Sequence, residues 1–210
     1  MIEISSQEQE FDMIMKIYDK ALTETFHILT EIQKGLNEVY GYHVIEHMTK
    51  RLKTPDSIIN KMKSKHYELN YKNLIEKIND IAGIRIICQL KSDIMLVKDI
   101  IKQIPGLEII KEKDYIKHPK KSGYSGYHII VVFPMEIENK KIFVKEEIQI
   151  RTMAMDFWSS NEHRLKYKTN NKLSFWDQMK LSFYGKMINN LDEKIVKLSK
   201  KQKVKKLIFN

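Results

Sequence analysis

The sequence predicts a mixed α/β (α+β) fold in which a mixed β-sheet is flanked by helices. Three features predict it: a β-branched run at 81–88, two strand-like segments at 127–133 and 142–150 separated by a polar turn, and amphipathic helical patterns towards both ends. With 210 residues, of which 42% are hydrophobic, the chain can bury the core of one large domain. We therefore expect one sheet-containing domain with helical additions.

The first part of the chain is expected to be helical. Residues 7–40 carry apolar side chains spaced three and four apart, which is typical of an amphipathic helix, and Gly41 is expected to end it. A second helix is expected to begin near Pro55, because proline and N-cap residue types precede a short apolar pattern there. A short helix around 74–78 then leads into the strand at 81–88.

The rest of the chain alternates strand and helix patterns before ending in helices. The last two strands are expected to pair as a hairpin, and the lysine-rich stretch 197–206 is expected to be a solvated or frayed end. The expected strands are 107–110, 127–133 and 142–150, and the expected helices are 93–104, 153–167 and 173–200.

The composition restricts the compartment and the partners. No run of eighteen or more apolar residues occurs and the N-terminus lacks the pattern of a secretory signal, so we expect a soluble, cytoplasmic protein with no membrane partner. The single cysteine, Cys88, lies in an apolar run, and we expect no internal disulfide and no reactive role for it. The net charge of +10 indicates polyanionic partners, but charge alone does not choose among nucleic acid, a membrane surface and nucleotide phosphates.

Arginine is rare among the cations. Only four of the 37 basic residues are arginine, namely Arg51, Arg85, Arg151 and Arg164. Where lysine serves for most cations, the few arginines are expected where a planar, forked or stacking cation is needed. All four lie in segments whose other residues also indicate a binding or catalytic site.

The first of these segments is 51–61, which contains Ser57 and Lys61 four residues apart on the predicted helix. The two side chains share a face, and the free amides of the first helical turn together with the preceding cations suit a triphosphate. A solvated basic helix is the alternative interpretation.

Two acidic residues are candidate metal ligands at the predicted sheet. Asp80 comes just before the strand that contains Arg85, and Glu147, Gln149 and Arg151 alternate along a later strand, so that they share one face. Carboxylates at a sheet rim suit Mg²⁺, which prefers oxygen ligands. The alternatives are a turn-capping aspartate and an ordinary exposed sheet face.

A basic loop at 120–128, which we call the glycine loop, combines lysines, Gly123, Gly126 and Tyr124. Glycines allow close backbone approach, lysines contact phosphates and a tyrosine ring offers a flat face to a purine. An ordinary hairpin turn would also explain this composition. In the helical segment that follows the last strand, Glu162 and Lys166 share one face, and His163 is expected to be structural.

These segments together resemble the synthetase domain of RelA/SpoT-type alarmone synthetases, in particular the small stand-alone members. The resemblance covers most of residues 45–170, in the order in which the family carries its motifs. It divides the chain into an N-terminal helical extension (1–44), a synthetase core (45–170), and a C-terminal helix with a basic tail (171–210). The matching segments are 51–61, 78–85, 114–117, 122–128, 147–152 and 154–168.

The resemblance implies a nucleotidyltransferase-like fold and transfer of pyrophosphate from ATP to the 3′-hydroxyl of GDP or GTP, with GMP as a further option. It implies that Arg51 and Arg85 sandwich the adenine and that Lys53, Ser57 and Lys61 hold the ATP phosphates. Physically this agrees with phosphoryl-type transfer, which depends mainly on positioning and on cations that neutralise developing charge.

The resemblance also implies that Asp80 binds Mg²⁺ and that Glu147 is either a second metal ligand or the base that activates the 3′-hydroxyl. Tyr124 is implied to stack on the acceptor guanine. Residues implied to lie near the phosphates and ribose of the acceptor are Lys113, Lys121, His128 and Gln149, and Asp156 lies on the same side.

Two positions depart from the family pattern. The glycine loop has Ser125 where many members have a longer polar or basic residue, and Asp156 stands where some relatives have asparagine. The small members are often tetramers, which the terminal helices here suit, and an RNA or an alarmone stays open as a regulator. The rival interpretations are an enzyme that pyrophosphorylates the tRNA 3′ end and a non-catalytic RNA-binding module, although the latter gives no reason for Asp80 and Glu147.

Overall fold

A computed structural model of the chain describes the backbone of residues 6–137, 139–168 and 173–208, and the side chains of 9–137, 139–166 and 173–199. The elements are α1 (Ser6–Tyr40), β1 (Ile45–Leu52), α2 (Pro55–Ser64), α3 (Tyr71–Lys77), β2 (Ala82–Cys88), α4 (Lys91–Ile101), β3 (Glu108–Asp114), β4 (Tyr127–Ile137), β5 (Lys140–Thr152), α5 (Met153–Lys168) and α6 (Phe175–Ile208).

The five strands form one mixed sheet in the order β1-β2-β5-β4-β3. β2 and β5 pair in parallel, and the other neighbours are antiparallel. β4 and β5 form the predicted hairpin, and the crossover from β2 to β5 places these two strands side by side at the centre. The predicted fold class, a mixed sheet flanked by helices, is therefore confirmed.

The core lies between the sheet and the helices α1 and α4. β2 and β5 alternate, so that Ile84, Ile86 and Ile148 enter the same buried cluster as Leu22 of α1 and Ile94 of α4. α1 contacts four of the five strands, β1, β2, β5 and β4. It ends at Tyr40, and the next residue, Gly41, adopts a positive φ of 67° as expected for a glycine after a helix.

The cysteine lies in this core. Cys88 is free and fully buried at the end of β2, and burial raises the pKa of its thiol well above the ordinary value. A thiol held in its protonated form is a weak nucleophile, which agrees with the absence of a predicted reactive role.

The departures of the observed elements from the predicted ones include those of β1, β3 and α6. β1 was not predicted, because it is an edge strand whose side chains are mostly exposed and show no clean alternation. β3 extends to Asp114, beyond the predicted end at 110, and it too is largely exposed. α6 continues as helix to Ile208, so the backbone of the lysine-rich stretch is helical rather than frayed.

Candidate active site

The candidate site lies on the face of the sheet opposite α1, and the strand register assembles it. Arg51 of β1 pairs with Gly83 of β2, which pairs in turn with Glu147 of β5. Directly paired residues share a face of the sheet. Because Gly83 has no side chain, this row leaves an opening between the guanidinium and the carboxylate.

The next row of the register brings together residues from all five strands. Arg85 pairs with Thr49 on one side and with Gln149 on the other, Gln149 pairs with His128, and His128 pairs with Lys113. Residues that lie far apart in sequence thus become neighbours on one surface. The predicted alternation of Glu147, Gln149 and Arg151 is confirmed, since the residues between them face the core.

These rows form the floor of a cleft with a volume of about 330 Å³. That volume is in the range of small-molecule sites in proteins. The cleft is lined by Thr49, Arg51, Lys53, Asp80, Gly83, Ile84, Arg85, Glu147 and Gln149.

Asp80 is held at the rim of the cleft by two lysines. The Nζ atoms of Lys53 and Lys61 donate to its Oδ2 atom at 2.9 Å and 2.6 Å. Burial alone would raise the pKa of Asp80, but the hydrogen bonds and charges of Lys61 and Lys53 bring the pKa below its ordinary value. The Oδ1 atom is buried and has no hydrogen-bond partner among the described residues, so one carboxylate oxygen is left for another ligand.

Helix α2 positions one of these lysines. Thr54 caps the N-terminus of α2 by accepting a hydrogen bond from the amide of Ser57, and Pro55 lies in the first turn of the helix. Lys61 lies in the last turn and reaches Asp80 from there. Ser57 lies in the first turn, where its hydroxyl accepts from Thr54 Oγ1 at 2.8 Å.

Glu147 is held on both carboxylate oxygens. His128 Nδ1 lies 2.9 Å from Oε1, and Gln149 Nε2 donates to Oε2 at 2.8 Å. Burial would raise the pKa of Glu147, but the interaction with His128 and the hydrogen bond from Gln149 bring the pKa below its ordinary value. Burial lowers the pKa of His128 despite the nearby carboxylate, so we assign a neutral imidazole whose Nδ1–H donates to an ionised Glu147.

A chain of donors stands behind this carboxylate. Arg151 Nε donates to the Tyr124 hydroxyl at 3.1 Å, and that hydroxyl bonds to His128 Nε2. Because the arginine can only donate, the Tyr124 hydroxyl accepts from it and donates its own proton to His128 Nε2. His128 then donates from Nδ1 to Glu147, where the series of hydrogen bonds ends. The arrangement fixes the imidazole tautomer and favours the charged form of Glu147.

Asp156 forms salt bridges with both Arg85 and Arg151. Its Oδ1 atom lies 3.0 Å from Arg151 NH1 and 3.3 Å from Arg85 NH1. Two guanidinium groups this close repel each other, and the pKa of Arg85 is lowered first by burial and then by Arg151. A carboxylate offsets one of these two positive charges, whereas an asparagine would offset neither, and this gives a physical reason for the aspartate that departs from the family pattern.

The chain is similar to proteins of a known family. A protein-family model described as "Region found in RelA / SpoT proteins" matches residues 50–172, which is more than half of the chain. The chain belongs to the RelA/SpoT family. The match includes every residue that lines the cleft except Thr49.

Two curated RelA/SpoT relatives come from Bacillus subtilis (strain 168). The chain is 38% identical over 200 residues to GTP pyrophosphokinase YwaC, covering 95% of each protein. It is 36% identical over 166 residues to GTP pyrophosphokinase YjbM, covering 77% of each.

Solved RelA/SpoT structures share the fold. Small alarmone synthetase 1 from Bacillus subtilis, bound to its product pppGpp, superposes with a TM-score of 0.84 at 32% identity, covering 92% of this chain and 98% of that one. Small alarmone synthetase 2 from the same organism gives a TM-score of 0.82 at 38% identity, covering 91% and 99%.

Within this RelA/SpoT core the residues predicted for ATP and metal come together. Arg51, Lys53, Asp80 and Arg85 line the cleft, and Lys61 contacts Asp80. Ser57 is not among the residues that line the cleft and lies in the first turn of α2. In the described part of the chain, no group of three or more His, Cys, Asp or Glu side chains forms a preassembled metal site.

The residues predicted for the acceptor are more dispersed. His128, Gln149 and Asp156 join the network around Glu147, and Lys113 shares their sheet face by register. Lys121 instead lines a separate cavity of about 480 Å³ with residues of α5 and α6. Its role at the acceptor stays a prediction.

Tyr124 is only 6% exposed, and cations cover its ring. Lys120 Nζ lies 4.8 Å and Arg151 Cζ 5.1 Å from the ring centroid. Guanine stacking on this tyrosine therefore requires one of the cations to move away. The predicted stacking role is not tested by this arrangement.

Sequence reasoning missed several residues of the site. The sequence did not distinguish Lys120 from Lys121, because the order of two adjacent lysines in a loop does not show where their side chains point. In the structure it is Lys120 that lies over the rings of Tyr115 and Tyr124. Thr49 was missed together with its strand. Gly83 was matched only as part of a motif, and its structural signal is the register that places it between Arg51 and Glu147.

None of the described helices is both long enough and apolar enough to cross a membrane.

Proposed function

We propose that this protein is a small alarmone synthetase that transfers pyrophosphate from ATP to the 3′-hydroxyl of GDP or GTP, with GMP as a further acceptor. One observation carries the proposal: Asp80 and Glu147, two ionised acids with different partners, face the same cleft between Arg51 and Arg85. The names of the relatives, GTP pyrophosphokinase, support the same chemistry.

ATP would occupy the side of the cleft formed by β1, α2 and the start of β2. Arg51 and Arg85 would hold the adenine between their planar guanidinium groups. Lys53, Ser57 and Lys61 would hold the phosphates, which requires the two lysines to turn from Asp80 towards the triphosphate. An aspartate that keeps both lysines in place before ATP arrives preorganises this site.

Mg²⁺ is the cofactor that these residues would hold. Asp80 fits it, because its Oδ1 atom is buried and has no partner within the described chain, and Glu147 supplies a second carboxylate on the same cleft. Once ATP draws Lys53 and Lys61 away, Asp80 needs another cation to balance its charge. When bound, the ion supplies neutralisation of the charge that develops on the transferring phosphates.

Glu147 would act as the general base. It would accept the proton of the 3′-hydroxyl while that oxygen forms a bond to the β-phosphorus of ATP, and the bond between this phosphorus and the α–β bridging oxygen would break. AMP leaves with the bridging oxygen, and the acceptor keeps both transferred phosphates. Gln149 and the neutral His128 hold the carboxylate in position, and the donor chain from Arg151 stabilises its ionised form.

The acceptor would lie beyond Glu147, towards β4 and the glycine loop. Tyr124 would stack on its guanine, while Lys113 and Lys121 would attract its phosphates. His128, Gln149 and Asp156 would bound the ribose side of the site. Glu147, the proposed base, would then lie between ATP and the acceptor, which suits transfer of pyrophosphate from one to the other.

We also propose that the protein acts in the cytoplasm as a homo-oligomer, a tetramer. α6 exposes a stripe of large apolar side chains with helical spacing, and such a surface is typical of a protein interface. The net charge of +10 supports an anionic regulator, an RNA or an alarmone, as a further partner. The exposed members of this stripe are Trp176, Met179, Phe183, Met187, Leu191, Ile195 and Leu198.

The proposal is tested by incubating the purified protein with Mg²⁺, radiolabelled ATP and one acceptor at a time, namely GMP, GDP, GTP or deacylated tRNA. We expect label to move to the guanine nucleotides. Label that moved only to tRNA would support the tRNA-directed rival, and no transfer to any acceptor would favour a binding module.

A further inference from the structure

The glycine loop packs directly on helix α6 through two glycines. A Cβ atom added to Gly185 would lie 2.6 Å from the carbonyl oxygen of Gly123 and 2.9 Å from its C and Cα atoms. A Cβ atom added to Gly123 would lie 3.0 Å from the Ser182 oxygen and 3.3 Å from Gly185 Cα. The contact is therefore backbone against backbone, and only glycine fits on either side.

Helix stability does not explain Gly185. The residue lies inside a 34-residue helix, where glycine is among the least favourable residues. It is buried, whereas the side chains on either side of it, Tyr184 and Lys186, are exposed. The close approach of the loop is the feature that requires a glycine here.

α6 cannot easily move away from this contact. On one side of Gly185, the Trp158 indole donates to the carbonyl of Leu181 at 3.2 Å. On the other side, Thr152 at the end of β5 donates to the buried carboxylate of Asp192. With the helix fixed at both points, a larger residue at 185 displaces the loop.

A displacement of the glycine loop would also move residues on the acceptor side of the cleft. Gly123 has a positive φ of 94° and is followed directly by Tyr124, whose hydroxyl bonds to His128 and Arg151. His128 in turn holds Glu147. The ATP-side residues are carried by β1, α2 and β2 instead.

We propose that Gly185 of α6 is a positioning residue for the acceptor nucleotide, and that it sets the place of the glycine loop through its contact with Gly123. This inference rests on the proposed role of the loop in acceptor binding. It gives the C-terminal helix a part in acceptor recognition that is independent of any role in assembly.

The test is Gly185→Ala in the otherwise unchanged protein. We expect the KM for GDP to rise about ten-fold, because small displacements of a binding group cost large factors in rate and affinity, while the dissociation constant of the ATP analogue AMPCPP stays within about two-fold. The matched control is Gly35→Ala, which changes another helical glycine with nothing within 4 Å of the added Cβ atom. Its KM for GDP is expected to equal that of the wild type.

A parallel Tyr124→Leu variant separates the inference from the proposed function. If Tyr124→Leu raises the KM for GDP and Gly185→Ala does not, the positioning role is wrong and the proposed function stands. If neither changes it, the acceptor role of the loop fails and the inference fails with it. Equal losses of GDP and AMPCPP binding in Gly185→Ala would show a general structural defect and would also overturn the inference.

Hydrogen exchange of the wild-type protein keeps the inference testable if Gly185→Ala does not fold. We expect GDP to slow exchange both in the glycine loop and at residues 181–186 of α6. Slower exchange in the loop with no change at 181–186, relative to α4 as a reference, would contradict the coupling.

Discussion

At the scale of single residues, three acidic side chains close together in the fold have different environments. Asp80 is held by two lysines, Glu147 by a neutral imidazole and an amide, and Glu146 lies in the core. The first two have lowered pKa values, and the third has a raised one. Environment rather than residue type thus assigns their roles.

Glu147→Gln is expected to reduce turnover by about 10²–10⁴-fold, the usual contribution of a general base, and Asp80→Asn is expected to reduce it comparably. Both variants should keep the wild-type circular dichroism spectrum, since each replacement is nearly isosteric. Glu136→Gln, an exposed glutamate on β4, is the control and should keep full activity. Near-normal turnover in either folded variant would remove that residue from its proposed role.

Glu146 makes stability depend on pH. Burial raises its pKa from 4.5 to about 7, and the nearby hydroxyl of Thr25 offsets only part of this increase. Neither carboxylate oxygen reaches hydrogen-bond geometry within the described chain. Because the folded state then binds more protons than the unfolded state, stability falls as the pH rises from 4.5 to about 7. Above this window the charged carboxylate is a cost to the folded state.

Glu146→Gln is therefore expected to be more stable than the wild type at pH 8 by an amount on the order of 3 kcal/mol relative to the difference at pH 5. Urea unfolding of both proteins at the two pH values measures this quantity. A difference in unfolding free energy that does not change with pH would show that Glu146 is already ionised at pH 5 or stays protonated at pH 8.

These residues also show where sequence reasoning works. The side chains of Glu147, Gln149 and Arg151 could be assigned to one face, because strand alternation has a period of two. The same alternation puts Glu146 in the core, yet a buried acid contradicts the polarity rule on which the interpretation rests. The two arginines that need Asp156 as a shared partner lie on different strands, so only the fold shows that requirement.

At the scale of elements, α2 links local sequence to the cleft. Pro55 and the N-cap residue types beside it allowed the start of the helix to be predicted, and the structure shows that Thr54 is the cap. β1 could not be predicted in this way, because an edge strand with exposed side chains has no apolar alternation and is defined by its pairing with β2.

Thr54→Ala is expected to destabilise α2 by about 1 kcal/mol, the usual cost of losing an N-cap, and to raise the KM for ATP, because the helix carries Lys61. Asn70→Ala removes the cap of α3 and is the matched control, since it should lower stability similarly without changing the KM for ATP. Equal effects of the two variants on the KM for ATP would contradict a specific role for α2.

At the scale of the whole molecule, α6 packs against the synthetase core. The sequence separated it from the synthetase core as a C-terminal addition, because its apolar residues do not reveal which surface they cover. In the structure it contacts both α5 and α4, and it contacts the glycine loop at Gly185. Its other side leaves large apolar side chains exposed, among them Phe183 at 59% and Met187 at 53%.

Replacing Phe183 and Met187 together with glutamate is expected to lower the molar mass of the particle in sedimentation velocity, because charges in an apolar interface oppose association. Lys180→Glu changes the charge of the same helix at an exposed position and is the control. A wild-type protein that sediments as a monomer at micromolar concentration would contradict the proposed assembly, and so would a double variant that retains the wild-type mass.

Glu147 and Asp80 are proposed to direct the transfer of an intact pyrophosphate. The most direct test follows ATP labelled in its β-phosphate together with GDP and Mg²⁺, and it quantifies all labelled products and AMP for the wild type and Glu147→Gln. We expect one labelled guanine nucleotide for each AMP formed by the wild type, and almost none for the variant. Labelled ADP or free pyrophosphate in place of the labelled guanine nucleotide, or wild-type product formation by Glu147→Gln, would contradict it.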